Sequence, residues 1–378
     1  MKRICVITTC RADYGYLYFI MKDIDASPNL QLQIILPINH HNFDSILNEF
    51  DCTYITTEVK AIHDYGHFYS ECLKIMSDIK PNIVLCLGDR WEMLVAATTA
   101  LLLNIPIVHL YGGETTIGSF DDEIRNSITQ MATYHFTATE QYARNVARMR
   151  GLCAPDHYSC MHKFNFDDLI LDNSHIFNVG STGLDWLTRS KLLTKDEITV
   201  PINLNLPFIV ACYNPVTKEL PDTERQIKEF CVALDKTGEQ ILFIMPNTDP
   251  CNEIIRQVAQ SYDDAGRYSD CKPHLWHCVD NLDHLTYLSL LQYAELMVGN
   301  SSSGIIESPS FNIPSISVGN RQDGRIKGSN TFTCPCETDA ILDAIDRARE
   351  WNALTGKCDN PYGSGNSSKK IVEMLEEI

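Results

Sequence analysis

The sequence predicts an α/β protein made of two Rossmann-like, doubly wound domains, each built on a parallel sheet. A chain of 378 residues exceeds what a single hydrophobic core comfortably supports, so two domains are expected. Short Val- and Ile-rich runs alternate with helical segments, and their continuous apolar character suits strands buried on both faces. That alternation restarts after Pro201, which marks a second domain of the same kind.

In the first half the predicted strands are Ile4 to Thr8, Leu32 to Leu36, Asn82 to Cys86, Ile107 to His109, His135 to Ala138 and Ile176 to Val179. In the second half they are Phe208 to Ala211, Ile241 to Ile244, Leu275 to Val279, Leu296 to Val298 and Ser315 to Val318. Helical patterns such as Thr223 to Leu234 lie between them. The charged, aperiodic stretch Lys191 to Asn205 reads as a linker. The domains are therefore expected at 1–190 and 191–378, with the final amphipathic helix, Lys369 to Ile378, available to pack back on the N-terminal domain. Gly151 to Ser174 fits neither period and reads as a lid or an insertion.

Composition restricts the partners. Lys plus Arg number 31 against 49 Asp plus Glu, a formal charge of -18, which disfavours nucleic acid and anionic membrane as partners. The longest apolar stretch, Met93 to Leu103, is too short to span a bilayer. The N-terminus lacks the pattern of a secretory signal. The fifteen cysteines show no framework spacing and read as reduced core thiols, Cys5, Cys86, Cys212 and Cys231 among them. A cytoplasmic protein is expected.

Chemistry is sought in the loops after the strands, because open α/β sheets bind ligands at the carboxyl ends of their strands. After the first strand, Arg11 stands beside a predicted helix N-terminus, a suitable place for a phosphate; pairing with Asp13 is the alternative. After the third, Gly88-Asp89-Arg90-Trp91-Glu92 offers Asp89 as an acid or base with charges to tune it, or as a helix cap. The densest segment runs from His109 to Arg125. Its paired glycines let backbone approach a ligand, and Glu114 and Asp121 are two carboxylates for moving protons on a sugar ring; Asp122 reads mainly as a cap.

In the second half, Val298 to Glu307 joins a strand to a helix through Ser301, Ser302 and Gly304. This is a candidate nest of backbone amides for a phosphate, with Glu307 one turn on to hold a ribose diol, although an N-capping turn fits as well. Asn214, the loop after Pro246, and Arg321 with Gln322 complete a ring of polar strand-end loops, which reads as a nucleotide-sugar site in one cleft. Cys271, His274, His277, Cys278 and His284 match no zinc spacing, so no metal is expected. His40 and His41 read as solvated, and Cys334-Pro335-Cys336 as a turn.

Taken in order, CRADYG, GDRWE, HLYGGETTIGSFDDEIR, NPVT, VGNSSSGIIESP and GNRQDGR resemble the signatures of the hydrolysing UDP-N-acetylglucosamine 2-epimerase family across Met1 to Ile345. The resemblance implies a glycosyltransferase-B-type fold, no redox cofactor, a nucleotide-sugar substrate and a homodimer. It also implies a reaction. A base removes the C2 proton, the nucleoside diphosphate leaves C1 to give a 2-acetamidoglycal, and water adds at C1 while a proton returns to C2 on the other face.

On this resemblance Asp89, Glu114 and Asp121 are the acid/base carboxylates, Arg11 meets the diphosphate, Ser301 and Ser302 hold phosphate, and Glu307 holds the ribose. Arg321 and Gln322 sit near nucleotide or sugar. Three positions depart from the family: Tyr111 stands where some members have Glu, Asn214 where His precedes Pro-Val-Thr, and Thr9 or Cys10 where Gly precedes Arg. Asn214 can still donate to phosphate but supplies no cation. The rival readings are a non-hydrolysing epimerase, a glycosyltransferase of this fold, and a nucleotide-sugar sensor without turnover.

Overall fold

The computed structural model describes residues 1–378 apart from 38–39, 41–42, 52, 58–63, 152–174, 248 and 268–273, and the side chains of 11–12 and 53–57. The chain divides into two compact units. The first comprises Met1–Glu114, Asp121–Thr188 and Tyr362–Ile378, and the second Thr115–Phe120 and Arg189–Pro361. The six residues between Glu114 and Asp121 thus belong to the second unit, and the chain's last seventeen belong to the first. The segment 151–174 of the sequence reading lies outside the described residues except for Gly151.

Unit 1 contains β1 (Lys2–Ile7), α1 (Arg11–Ala26), β2 (Leu30–Pro37), α2 (Phe43–Glu49), β3 (Thr53–Thr57), α3 (Tyr65–Ile79), β4 (Ile83–Leu87) and α4 (Trp91–Leu102). It continues with β5 (Ile107–Leu110), α5 (Asp121–Met131), β6 (Tyr134–Thr137), α6 (Glu140–Met149), β7 (Ile176–Asn178) and α7 (Asp185–Arg189). Its strands form one sheet in the order β3-β2-β1-β4-β5-β6-β7, and every pairing is parallel. The order reverses between β1 and β4, the switch point at which such sheets open a crevice.

Unit 2 repeats the plan with β8 (Phe208–Cys212), α8 (Thr223–Thr237), β9 (Gln240–Ile244), α9 (Asn252–Arg267), β10 (Trp276–Val279) and α10 (His284–Leu291). Then come β11 (Leu296–Gly299), α11 (Ser303–Ile306), β12 (Ser315–Val318), β13 (Thr331–Cys334) and α12 (Thr338–Leu354). The sheet order is β10-β9-β8-β11-β12-β13, with the switch between β8 and β11. The predicted fold class is the observed one.

Burial follows from the composition of the strands. Ile4 to Ile7 and Phe208 to Ala211 are entirely inaccessible, as continuous apolar strands covered by helices on both faces must be. Phe230, Phe243, Tyr213 and Trp276 fill the core of unit 2, while Phe68, Met93 and Cys86 pack in that of unit 1. The described cysteines are free thiols, and burial pushes that of Cys86 up to about 12, which keeps it protonated and inert. No helix among the described residues is long and apolar enough to cross a membrane.

The last helix, α13 (Ser367–Glu377), is tied into unit 1 by a buried carboxylate. Asp185 accepts from the amides of Ser367 and Ser368, each at 2.7 Å, which satisfies two otherwise orphaned donors of the helix start. Tyr362 and Tyr142 hydroxyls meet at 2.9 Å beneath it. His40, expected from the sequence to be solvated, is instead buried; its Nε2 lies 3.2 Å from the Thr8 hydroxyl, so the ring packs over the end of β1. His41 lies outside the described residues.

Candidate active site

In unit 1 the carboxyl ends of the switch strands β1 and β4 are each followed by a polar loop. After β1, Asp13 folds back so that one carboxylate oxygen accepts from the amides of Thr9 and Cys10 and from the Thr9 hydroxyl, at 3.1, 3.3 and 2.8 Å. This closes the turn into α1, where a reciprocal bond from the third helical residue is a standard start signal. Asp13 therefore serves its own loop. Arg11 is the first residue of α1, and its side chain is outside the described set. The Cys10 thiol is pushed up to about 12 by burial, with Arg90 opposing.

After β4, the buried Arg125 of α5 joins what the sequence separates. Its guanidinium contacts a carboxylate oxygen of Asp89, donates to Asp122 at 2.6 Å and donates to the backbone carbonyl of Glu114 at 3.1 Å. Arg125 has no solvent exposure, so its charge is compensated by those carboxylates rather than by water. Glu114 is itself buried, and Asp121 opens α5 one turn before Arg125. Asp121, Asp122 and Glu123 crowd the first turn, where the helix dipole favours negative charge. Asp122 makes the intrahelical pair with Arg125.

His109 supports the same region from below. Its Nε2 lies 2.8 Å from the Gly88 carbonyl and its Nδ1 3.1 Å from the Thr129 hydroxyl. A carbonyl only accepts, so Nε2 carries the proton and Nδ1 accepts from Thr129. The ring thereby fixes the turn that presents Asp89. The glycines of the next loop are needed sterically: Gly113 has φ +81°, and a Cβ there would stand 2.3 Å from the Tyr142 carbonyl oxygen. Tyr111, at φ +64°, occupies a backbone region costly for an aromatic residue. Its hydroxyl accepts from the Thr182 amide at 2.8 Å and lies 2.9 Å from the Ser181 hydroxyl, so it is part of the packed interior.

Burial pushes His109 down to about 4, helped by Arg125, and pushes the buried His135 down to about 3. Both are neutral in the folded protein but titrate near 6.5 when unfolded. The unfolded state then binds more protons, so stability is complete above about pH 6.5 and falls toward pH 4. Each histidine should cost about 2 kcal/mol by pH 5. Urea midpoints at pH 7 and pH 5 check this, and equal midpoints would refute it.

In unit 2 the loops after β8, β11 and β12 are joined through Asn300, a residue the sequence alone does not single out. Its side chain accepts from the Asn214 amide and donates to the Asn214 carbonyl, both at 2.7 Å. Its own carbonyl accepts from Gln322 at 2.9 Å and Arg321 at 3.3 Å. Gly299 just before it has φ +149°, and a Cβ there would lie 1.8 Å from the Cys212 carbonyl oxygen. Only glycine allows β11 to leave the sheet so close to β8.

Asn214 is buried and turned inward: its side-chain oxygen Oδ1 accepts from the Asn247 backbone amide at 3.0 Å, and its NH2 approaches the Cys212 sulfur at 3.8 Å. It secures neighbouring loops, a use the sequence reading did not foresee. Ser301 accepts from the Ser303 amide at 3.4 Å, and Ser302 caps α11, its carbonyl accepting from Ile305 and Ile306. The amide of Gly304 is spent on the Ser301 carbonyl, and a Cβ there would meet the Ser315 hydroxyl at 2.4 Å. Gly304 is thus small so that α11 can lie on β12.

Glu307 ends α11 and is buried. Nearby Tyr287 is pushed up by burial and by Glu307, and its hydroxyl bonds that of Ser303. Arg321 is held by Asp249 at 3.6 Å. The segment 115–120 is seated among these loops, with Ile117 donating to the Asp323 carbonyl at 3.1 Å and Phe120 to the Thr217 hydroxyl at 3.2 Å. A Cβ at Gly118 would come within 2.8 Å of Arg321 Cα.

Residues 22–376 match the family model for UDP-N-acetylglucosamine 2-epimerase. The chain belongs to that family. It is 30% identical to a Legionella pneumophila protein named UDP-N,N'-diacetylbacillosamine 2-epimerase (hydrolyzing), over 100% of this chain and 96% of the relative. It is also 30% identical to a Campylobacter jejuni GDP/UDP-N,N'-diacetylbacillosamine 2-epimerase (hydrolyzing), over 92% and 87%. Among solved structures, a Neisseria meningitidis UDP-GlcNAc 2-epimerase bound to UDP-GlcNAc superposes with TM-score 0.77 at 17% identity, covering 100% of both chains; that likeness concerns the fold. The family is the one the ordered motifs resemble, and membership makes the chain a nucleotide-sugar 2-epimerase.

Proposed function

We propose that this epimerase hydrolyses a UDP- or GDP-linked 2-acetamido sugar to the free 2-epimer and nucleoside diphosphate. The observation that carries the reading is the charge cluster of unit 1. A fully buried arginine there binds Asp89 and the Glu114 backbone, one helical turn from Asp121. Sugar epimerisation at C2 needs one group to take the proton and another to return it on the opposite face, and the hold of Arg125 on the Asp89 carboxylate and on the backbone of Glu114 supports that reading.

In this reading Asp89, Glu114 and Asp121 exchange protons with C2, water and the departing oxygen. The loops of unit 2 hold the nucleotide: Ser301 and Ser302 the diphosphate, Glu307 the ribose, and Arg321 the charge that the family's histidine supplies elsewhere. Arg11 adds a cation from unit 1. With its amide committed to Asn247, Asn214 acts by fixing the loop. Gln322 does likewise through Asn300.

The 30% identity to two proteins named for N,N'-diacetylbacillosamine, together with Tyr111 packed where some members have Glu, favours a 2,4-diacetamido-trideoxyhexose over UDP-GlcNAc. The product would be a cytoplasmic precursor of a nonulosonic acid. Proton NMR in deuterated water tests this, with UDP-GlcNAc and UDP- or GDP-linked diacetamido sugars supplied separately. The expected result is free 2-epimer with deuterium at C2 and released diphosphate. Recovery of the 2-epimer still linked to nucleotide would assign the non-hydrolysing reaction instead.

A further inference from the structure

We propose that Asp263, His274 and His277 form a structural zinc site in unit 2, at the end of its sheet opposite the nucleotide-binding loops. Each residue brings one ligand atom, and the three atoms lie within 4.8 Å of one another. Asp263 sits on α9, His277 on β10 and His274 two residues before that strand. Two imidazoles and a carboxylate are a recurrent zinc donor set, leaving one position for water.

The geometry is nearly closed. His274 Nε2 is 2.7 Å from Asp263 Oδ1, and the His274 and His277 ring centroids are 4.1 Å apart with the rings tilted by 51°. Ligand atoms about 2.0–2.1 Å from a tetrahedral ion stand somewhat further apart than that hydrogen bond, so small side-chain rotations admit zinc. Asp263 is 2% exposed, and its second oxygen accepts from the Cys278 amide at 2.9 Å. That bond would orient the ligating carboxylate, as outer-shell partners do. Arg267, 3.2 Å from Oδ1, has a side chain 53% exposed, so it can withdraw into water when the ion enters.

The placement indicates the purpose. β10 is an edge strand, and residues 268–275 join it to α9 along the chain. An ion bridging α9 to β10 would pin that edge. All strands of the sheet run parallel, so His274, at the amino end of β10, is remote from the strand-end residues Asn214, Asn247 and Ser301. The site is therefore independent of the proposed catalysis.

The test is titration of the full-length, reduced, metal-stripped protein with Co2+, read by its visible spectrum, and with Zn2+, read by calorimetry. One equivalent should bind with the bands of a tetrahedral nitrogen and oxygen site. His277→Gln and Asp263→Asn should each weaken binding at least about a hundredfold, and zinc should raise the unfolding midpoint of the parent protein but not of His277→Gln. His277 is part-exposed on an edge strand, so its variant remains informative if Asp263→Asn fails to fold. No stoichiometric uptake, a thiolate-to-cobalt charge-transfer band, or equal affinity in His277→Gln would each overturn the site.

Discussion

Asp121→Asn and Glu114→Gln should each lose turnover by about 10²–10⁴-fold, the usual contribution of one positioned acid or base, while nucleoside diphosphate binds as before. An amide keeps the shape and hydrogen-bonding reach of the carboxylate but cannot accept a proton at neutral pH. Two proton transfers on opposite faces of C2 require two groups, so neither substitution should be rescued by the other carboxylate. The variants should also differ from each other. Loss of the group that abstracts the C2 proton leaves the substrate intact and undeuterated. Loss of the group that returns it lets elimination proceed, so that 2-acetamidoglycal and diphosphate accumulate. Steady-state rates and proton NMR of the products distinguish these outcomes, and full activity in Asp121→Asn would remove that residue from the mechanism.

The strands that a reader of the sequence can find are those whose burial leaves a mark. Ile4–Ile7 of β1, and β4 and β8, are unbroken apolar runs because helices cover both their faces. β3 and β13 close opposite ends of different sheets, and their segments, Thr53–Thr57 and Thr331–Cys334, are threonine-rich. An edge strand needs no continuous apolar run. The strand-end motifs were equally legible, because glycine, proline and acidic residues cluster where chain direction changes.

Side-chain direction was not legible. Asn214 reads as a donor to ligand, yet it faces the Asn247 amide; Asn300 reads as one polar residue among several, yet it joins three loops. The segment 115–120 reads as a flexible connector between two carboxylates, whereas contacts with Thr217 and Asp323 place it in unit 2. Arg125 is the largest such case. In an amphipathic helix rich in charge, an arginine three residues after an aspartate reads as a solvated surface pair. Its complete burial depends on Asp89, thirty-six residues away, and nothing local announces that partner.

That burial makes Arg125→Met the most destabilising substitution expected in unit 1. Removing one member of a buried charge cluster leaves the others without compensation, at a cost of about 3–5 kcal/mol. Asp89 and Asp122 would be left beside an apolar side chain, and the Glu114 carbonyl would lose its donor. Arg125→Lys keeps the charge but not the fork that reaches three acceptors, so it should recover only part of the loss. Urea unfolding monitored in unit 1 measures both, and an unchanged midpoint for Arg125→Met would show that the cluster contributes no stability. A second readout separates structure from chemistry. Asp89→Asn combined with Arg125→Met removes a charge of each sign, so the double variant should be more stable than the sum of the single losses predicts. Its turnover should stay absent, because the restored charge balance replaces neither the acid nor the positioning that the arginine provides.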